Sequence, residues 1–284
     1  GAGLNTVLDA LFIYGFGWGI EGAAWATVIA MAVSAAFVMQ HFLDSKSEVQ
    51  FHKRNMRFSM EQIMAILSIG MAPFFLQLLS SGIAFLINST LAEYAGSPLM
   101  ADRAVGAYGI INSIALVGFM FMLGIAQGMQ PIVGYNYGAK AMRRVRQTFN
   151  ICAVVNLSIG LFVTVAALSA PRFLASMFTS SPEMIEASAD ALRCCIYGFA
   201  FVGFQVTATQ FFQSIGFGGK AMLLSLSRQT LFLIPALFGF PLLWGSKGVW
   251  VALPFSDICA GVLGIILMAY QFRLFDRRAE QEGL

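Results

Sequence analysis

Eight long apolar runs fill most of this 284-residue sequence, at roughly 1–16, 19–43, 61–89, 104–131, 147–170, 187–214, 221–244 and 248–273. All but the first are long enough to cross a hydrocarbon core about 30 Å thick. Such runs cannot be left in water, and the polar surface that would solubilise them is missing. Charged residues make up 11% of the chain, against about 25% in ordinary soluble domains. In lipid the backbone must satisfy its own polar groups. Runs this long, rich in Ala, Leu and Met and without alternation, do so as helices rather than as barrel strands. The expectation is an all-α integral membrane protein, a polytopic bundle of about eight transmembrane helices.

Basic residues cluster in alternate connections. Lys46, Lys53, Arg54 and Arg57 follow the second run, Lys140, Arg143, Arg144 and Arg146 the fourth, Lys220 the sixth, and Arg273, Arg277 and Arg278 occupy the tail. The other connections hold only Arg103, Arg172 and Lys247. By the positive-inside rule the first set and the C-terminus face the cytoplasm, as in a multi-pass protein of a bacterial inner membrane. A net charge of +3 spread over short loops is no footprint for nucleic acid. Cys152, Cys194, Cys195 and Cys259 lie inside apolar runs without metal-type spacing, and His41 and His52 stand near or in the polar linker. Neither a disulfide framework nor a zinc site is indicated, and no cofactor is expected.

The first two runs recur in the last two at an offset of 226 residues. Ala10-Leu11-Phe12 matches Ala236-Leu237-Phe238, Trp18-Gly19 matches Trp244-Gly245, Gly22 matches Gly248, and Ala26 matches Ala252. Copies running in the same direction suggest a transporter with two parallel six-helix repeats. On that reading residues 1–43 are the last two helices of an N-terminal lobe whose other helices lie upstream. Residues 44–60 are then a cytoplasmic linker and residues 61–284 a six-helix C-terminal lobe. A start at Gly1, without an initiator Met or a basic leader, agrees with missing upstream helices.

Asp9 is the lone charge between Leu4 and Gly15. An ionised carboxylate at membrane depth costs several kcal/mol unless it is paired or neutralised. Asn5 lies one turn earlier on the same helix face, and Thr27 can meet both from the next helix because the Gly17–Gly22 turn is short. Carboxylate, amide and hydroxyl oxygens suit a sodium ion or a shared proton. A hydrogen bond that pins two helices is the simpler alternative. At the repeat offset these positions become Leu231, Pro235 and Leu253, so one copy of the hairpin keeps the polar set and the other loses it.

Asp257, three residues after Pro254, is a possible second carboxylate, and Arg228 is read as snorkelling to the membrane surface. Gln77, Ser80, Asn112, Gln130 and Gln205 are candidates for a polar substrate cavity, with Phe, Met and Tyr as an adaptable wall for organic cations. Helix-joining hydrogen bonds are the alternative for each. Pro73, Pro131, Pro235 and Pro254 permit kinks, and Gly124/Gly128 and Gly134/Gly138 have the spacing for close helix approach. Gly17-Trp18-Gly19-Ile20-Glu21-Gly22 spells G-x-G-x-x-G, but no strand-and-amphipathic-helix pattern surrounds it, so a dinucleotide site is not implied.

The run Gln130-Pro131-Ile132-Val133-Gly134-Tyr135-Asn136-Tyr137-Gly138-Ala139-Lys140, preceded by Gly124-Ile125-Ala126-Gln127-Gly128, resembles the segment after the eighth helix of multidrug and toxic compound extrusion (MATE) transporters. Asn5-x-x-x-Asp9 with Ile13 and Gly22-Ala23-Ala24-Trp25-Ala26-Thr27 resembles the fifth and sixth helices of that family, and Phe211-Phe212-Gln213-Ser214-Ile215-Gly216 its tenth. The resemblance implies helices five to twelve of a twelve-helix antiporter that expels drugs in exchange for sodium ions or protons by alternating access. It maps the family's N-terminal-lobe cation site onto Asn5, Asp9 and Thr27. A tenth-helix carboxylate found in some members has no counterpart, since the neighbourhood reads Gly203-Phe204-Gln205. The implied partners are small organic, possibly cationic, substrates, the lipid bilayer and the missing helices. A flippase for lipid-linked precursors and a non-transporting membrane subunit are the alternatives.

Overall fold

The computed structural model describes residues 1–43 and 59–282, without the side chains of 41, 62, 65–73, 75–76 and 278–282. The basic stretch with Lys46, Lys53, Arg54, Arg57 and His52 lies outside the described residues, as do the side chains of His41, Pro73 and Arg278. Among the described residues every regular element is helical, and each of the eight apolar runs holds a helix. Among the described residues six stretches are long and apolar enough to cross a membrane: Gly19–Gln40, Pro98–Gly138, Met142–Ser169, Pro182–Ser214, Gly218–Trp244 and Ser246–Arg277. The chain divides into two compact units, Gly1–Met71 and Ala72–Leu284.

In the first unit, helix α1 (Ala2–Ala10) widens into a π-helical turn, Leu11–Gly15, before α2 (Gly19–Leu43). The connection needs glycine: Gly17 and Gly19 have φ of +70° and +54°, a region that side chains with a Cβ avoid. Gly22 lets α2 close on the preceding segment, because a Cβ there would stand 3.0 Å from the Cβ atoms of Phe12 and Trp18. The G-x-G-x-x-G string is thus an interhelical turn. Behind Gly22, Ala26 and Ala30 continue a buried stripe along α2.

The second unit continues α3 (Met60–Glu93) and adds α4 (Pro98–Gly138), α5 (Met142–Ser169), a short α6 (Pro171–Ser176), and α7 (Pro182–Cys195). A 3-10 turn joins α7 to α8 (Phe199–Ser214). Helix α9 (Gly218–Leu226) passes through a π-helical turn, Ser227–Leu233, into α10 (Ile234–Trp244), and α11 (Ser246–Glu282) ends the chain. Local chemistry sets the starts. Ser97 accepts a hydrogen bond from the Met100 N–H at 3.3 Å with Pro98 in the first turn, and prolines also open α6 and α7.

The repeat read from sequence has a structural counterpart. Gly245 turns with φ of +59°, as Gly19 does at +54°. Ala252 and Ser256 are buried on α11 where Ala26 and Ala30 are buried on α2.

Helix α8 lies at the centre of the second unit, with Phe199, Val202, Ala208, Phe211 and Phe212 buried. Phe211 meets Phe149 of α5 edge-on at 5.2 Å and Phe272 of α11 at 5.8 Å between centroids. Asn156 of α5 is fully buried here; its Nδ2 donates to Met122 O at 3.1 Å and to Thr207 Oγ1 at 2.8 Å, tying α5 to α4 and α8. Interhelical bonds of this kind contribute about 1 kcal/mol in lipid. Asn156→Ala is therefore expected to lower unfolding stability in detergent by about 1–2 kcal/mol, read as a lower thermal midpoint.

Ion pairs gather at the helix ends. Arg103 pairs with Glu183, and Arg172 grips Glu186 through two N–H donors at 2.9 and 2.7 Å, which raises the Arg172 pKa above its ordinary value. At the opposite end Arg146 meets Asp276 at 3.4 Å, and Lys220 Nζ donates to Gln271 Oε1 at 2.6 Å amid the rings of Phe212, Phe217 and Tyr270.

Candidate functional site

The polar set of the first unit is built by the α1–α2 hairpin. Asn5 and Asp9 stand one turn apart on α1, and the short glycine turn brings Thr27 of α2 alongside. Asn5 Nδ2 donates to Thr27 Oγ1 at 3.3 Å, and Thr27 Oγ1 donates to its own helix at Ala23 O, at 2.9 Å. This uses one of the two amide N–H donors and the hydroxyl proton, so what the pair can still offer a cation is oxygen. Asp9 does not join the bond that pins the helices. Its Oδ1 is shut off from solvent and has no hydrogen-bond partner among the described residues. The π-helical turn begins two residues later. A widened turn of this sort interrupts the regular ladder and is frequent beside functional residues.

In the second unit Asp257 is buried, one turn beyond Pro254. The sequence reading sent Arg228 outward to the surface; the structure turns it inward, with Nε 3.1 Å from Asp257 Oδ1. The reason is cost: a buried carboxylate recruits the cation within reach. Three of the cavity candidates are tied to neighbouring helices by hydrogen bonds. Gln205 is buried and its Nε2 donates to Leu224 O at 2.7 Å, bracing α8 against α9. Gln130 bonds Gln210 and lies 3.4 Å from Gln213. Ser80 pairs with Gln229 at 3.2 Å, while Gln77 and Asn112 are exposed.

Sequence reasoning passed over Asn156, the most enclosed polar node, although a lone amide inside an apolar run was the available signal. Of the glycines it named for close helix approach, Gly134 has a near neighbour, since an added Cβ there would stand 3.3 Å from Ser214 O. Gly124, Gly128 and Gly138 have nothing within 4 Å of an added Cβ, whereas Gly160 and Gly203 press on the facing backbone. Among the described residues no group of His, Cys, Asp and Glu could hold a metal ion.

Residues 73–238, more than half of the chain, match the MatE family model. The chain belongs to the MatE family. It is 27% identical over 277 residues to the multidrug export protein MepA of Staphylococcus aureus (strain MSSA476), covering 95% of this chain and 58% of that protein. The MepA of Staphylococcus haemolyticus is 25% identical over 275 residues, 96% of this chain and 59% of its own. Among solved structures, MATE in complex with MaL6 superposes with a TM-score of 0.81 at 25% identity, over 97% of this chain and 61% of that one. A MOP superfamily transporter from Pyrococcus furiosus Vc1 (DSM3638) gives 0.81 at 25% identity, over 96% and 61%. The MatE chain thus spans about three fifths of the relatives it matches. The relatives that it matches are multidrug export proteins and transporters, and its long apolar helices fit a multi-pass membrane protein.

Proposed function

We propose that this MatE chain, together with further helices of the same protein, exports small organic compounds in exchange for sodium ions or protons. Residues 1–43 complete an N-terminal lobe, 44–60 link the lobes on the cytoplasmic side, and 61–284 form the second lobe with a cytoplasmic C-terminus. Asn5, Asp9 and Thr27 take the coupling ion. One observation supports this above the rest: the lone carboxylate of α1 keeps a buried oxygen without a partner among the described residues, beside an amide and a hydroxyl already joined to each other. A small cation or a proton removes the cost of that charge. Binding and release then bias two arrangements of the hairpin, and the π-helical turn after Asp9 is where the helix gives.

The test uses the full-length protein in proteoliposomes loaded with a fluorescent organic cation. Imposing a sodium or proton gradient is expected to drive dye movement against its own gradient, and collapsing that gradient with an ionophore stops it. Dye movement indifferent to both gradients refutes the reading.

A further inference from the structure

The second unit holds an ion pair for which ion coupling at Asp9 has no use. Arg228 lies in the π-helical turn between α9 and α10, and Asp257 lies in α11. Their repeat-equivalent positions in the first hairpin are Ala2 and Met31, so the pair belongs to one copy alone. The contact is weakly built for its setting. Nε is 3.1 Å from Oδ1, yet Nε is closed to solvent and makes no aligned hydrogen bond among the described residues. The arginine side chain stays 33% exposed, against 12% for the aspartate.

A guanidinium is a planar fork that matches both oxygens of a carboxylate. Here a single contact occupies it. Asp257 cannot settle deeper to improve the pairing, because α7–α8 is closed on it. A Cβ at Gly198 would stand 2.6 Å from the Asp257 Cβ and 2.8 Å from Pro254 O. Two further titratable groups lie near the pair, Cys195 by Asp257 and Tyr108 by Arg228; both are uncharged in their ordinary forms. The fork is therefore underused, partly open, and mounted on a π-helical turn, a form frequent at functional sites.

We propose that Arg228 and Asp257 form an exchange site for organic acids. The carboxylate of a ligand takes the place of Asp257 on the Arg228 fork, and Asp257 takes up one proton from water. No covalent bond of the ligand changes. The site holds one positive and one negative charge before and after, which is what membrane depth requires. The inference rests on the export reading only in treating the ligand as cargo, and its test measures binding without transport.

The probes are a rhodamine with a free carboxylate and the methyl ester of the same ring system. They are titrated by fluorescence anisotropy against the full-length protein in neutral detergent, which leaves no lipid headgroup to compete. Above the dye's own carboxyl pKa, affinity for the acid is expected to weaken as pH rises, by up to about tenfold per pH unit, because one proton enters with the ligand. Arg228→Gln lowers affinity for the acid by about tenfold or more and leaves the ester unchanged. Asp257→Asn has the opposite sign: removing the internal competitor raises affinity for the acid and flattens its pH dependence. The double variant Arg228→Gln/Asp257→Asn leaves no unpaired buried charge, so it folds, and it binds the ester alone. If the two single variants move acid binding in the same direction, or change acid and ester alike, the pair is a structural brace and the proposal fails. That failure leaves ion coupling at Asp9 untouched, since Asp9 belongs to the other unit.

Discussion

Asp9→Asn in the full-length protein is expected to reduce ion-driven export by at least about tenfold while leaving the fold as stable as before, or more stable. The two effects separate because of how Asp9 is held. Its Oδ1 is buried without a partner among the described residues, so in the ion-free protein that oxygen makes no bond to lose, and a charge held at membrane depth is costly. Asparagine has the same shape and no charge, which removes the cost and also the attraction for a cation. Thermal unfolding in detergent reads this directly. If sodium is the coupling ion, a concentration about ten times Kd adds about 1.4 kcal/mol to the native protein through mass action, and Asp9→Asn gains nothing. If the ion is a proton, sodium moves neither protein. A variant that is less stable but still coupled would make Asp9 a packing residue and end the coupling reading.

Much of this was legible before any coordinate. The apolar runs specify helices because lipid leaves the backbone no other partner, and the eight runs each hold one. The repeat was legible because the landmarks that carry it, Gly19 with Gly245 and Ala26 with Ala252, answer to a turn with positive φ and a buried stripe. The Asn5–Thr27 contact was legible because polar atoms are expensive in an apolar helix and a short turn limits what they can meet. Arg228 was not. A long basic side chain near a helix end can snorkel or turn inward, and the choice depends on an acid on another helix, Asp257, which sequence distance hides. Three of the four named glycines failed for a related reason. Spacing puts two of them on one face without saying what faces them. Gly124 and Gly128 look outward over empty space, and the contact falls to Gly160 and Gly203, separated by 43 positions in the chain.

That last contact carries a large expected effect on folding. At the crossing of α5 and α8, an added Cβ on Gly203 would lie 2.5 Å from Asn156 O and 2.9 Å from Asn156 C, while one on Gly160 would lie 2.6 Å from Ala200 Cα. Each helix therefore sets a glycine against the other's backbone, about one turn from where its partner does the same. The neighbours are not flexible ends that could swing aside but main chain, and Asn156 is further held by Met122 O and Thr207. One methyl group must push the helices apart, and the separation spreads to Met122 and Phe199, which pack around the crossing. Gly203→Ala is expected to destabilise the protein by about 1–3 kcal/mol, and Gly203→Leu to yield no monodisperse protein in detergent. Gly128→Ala provides the contrast, since nothing lies within 4 Å of its added Cβ. It removes a helix-interior glycine and is expected to be neutral or to stabilise by up to about 1 kcal/mol. Thermal midpoints and size-exclusion profiles of the three variants decide it, because membrane helices gain little from hydrophobic burial and depend on such close approach. Equal behaviour of Gly203→Ala and Gly128→Ala would mean that the α5–α8 crossing does not hold the second unit together.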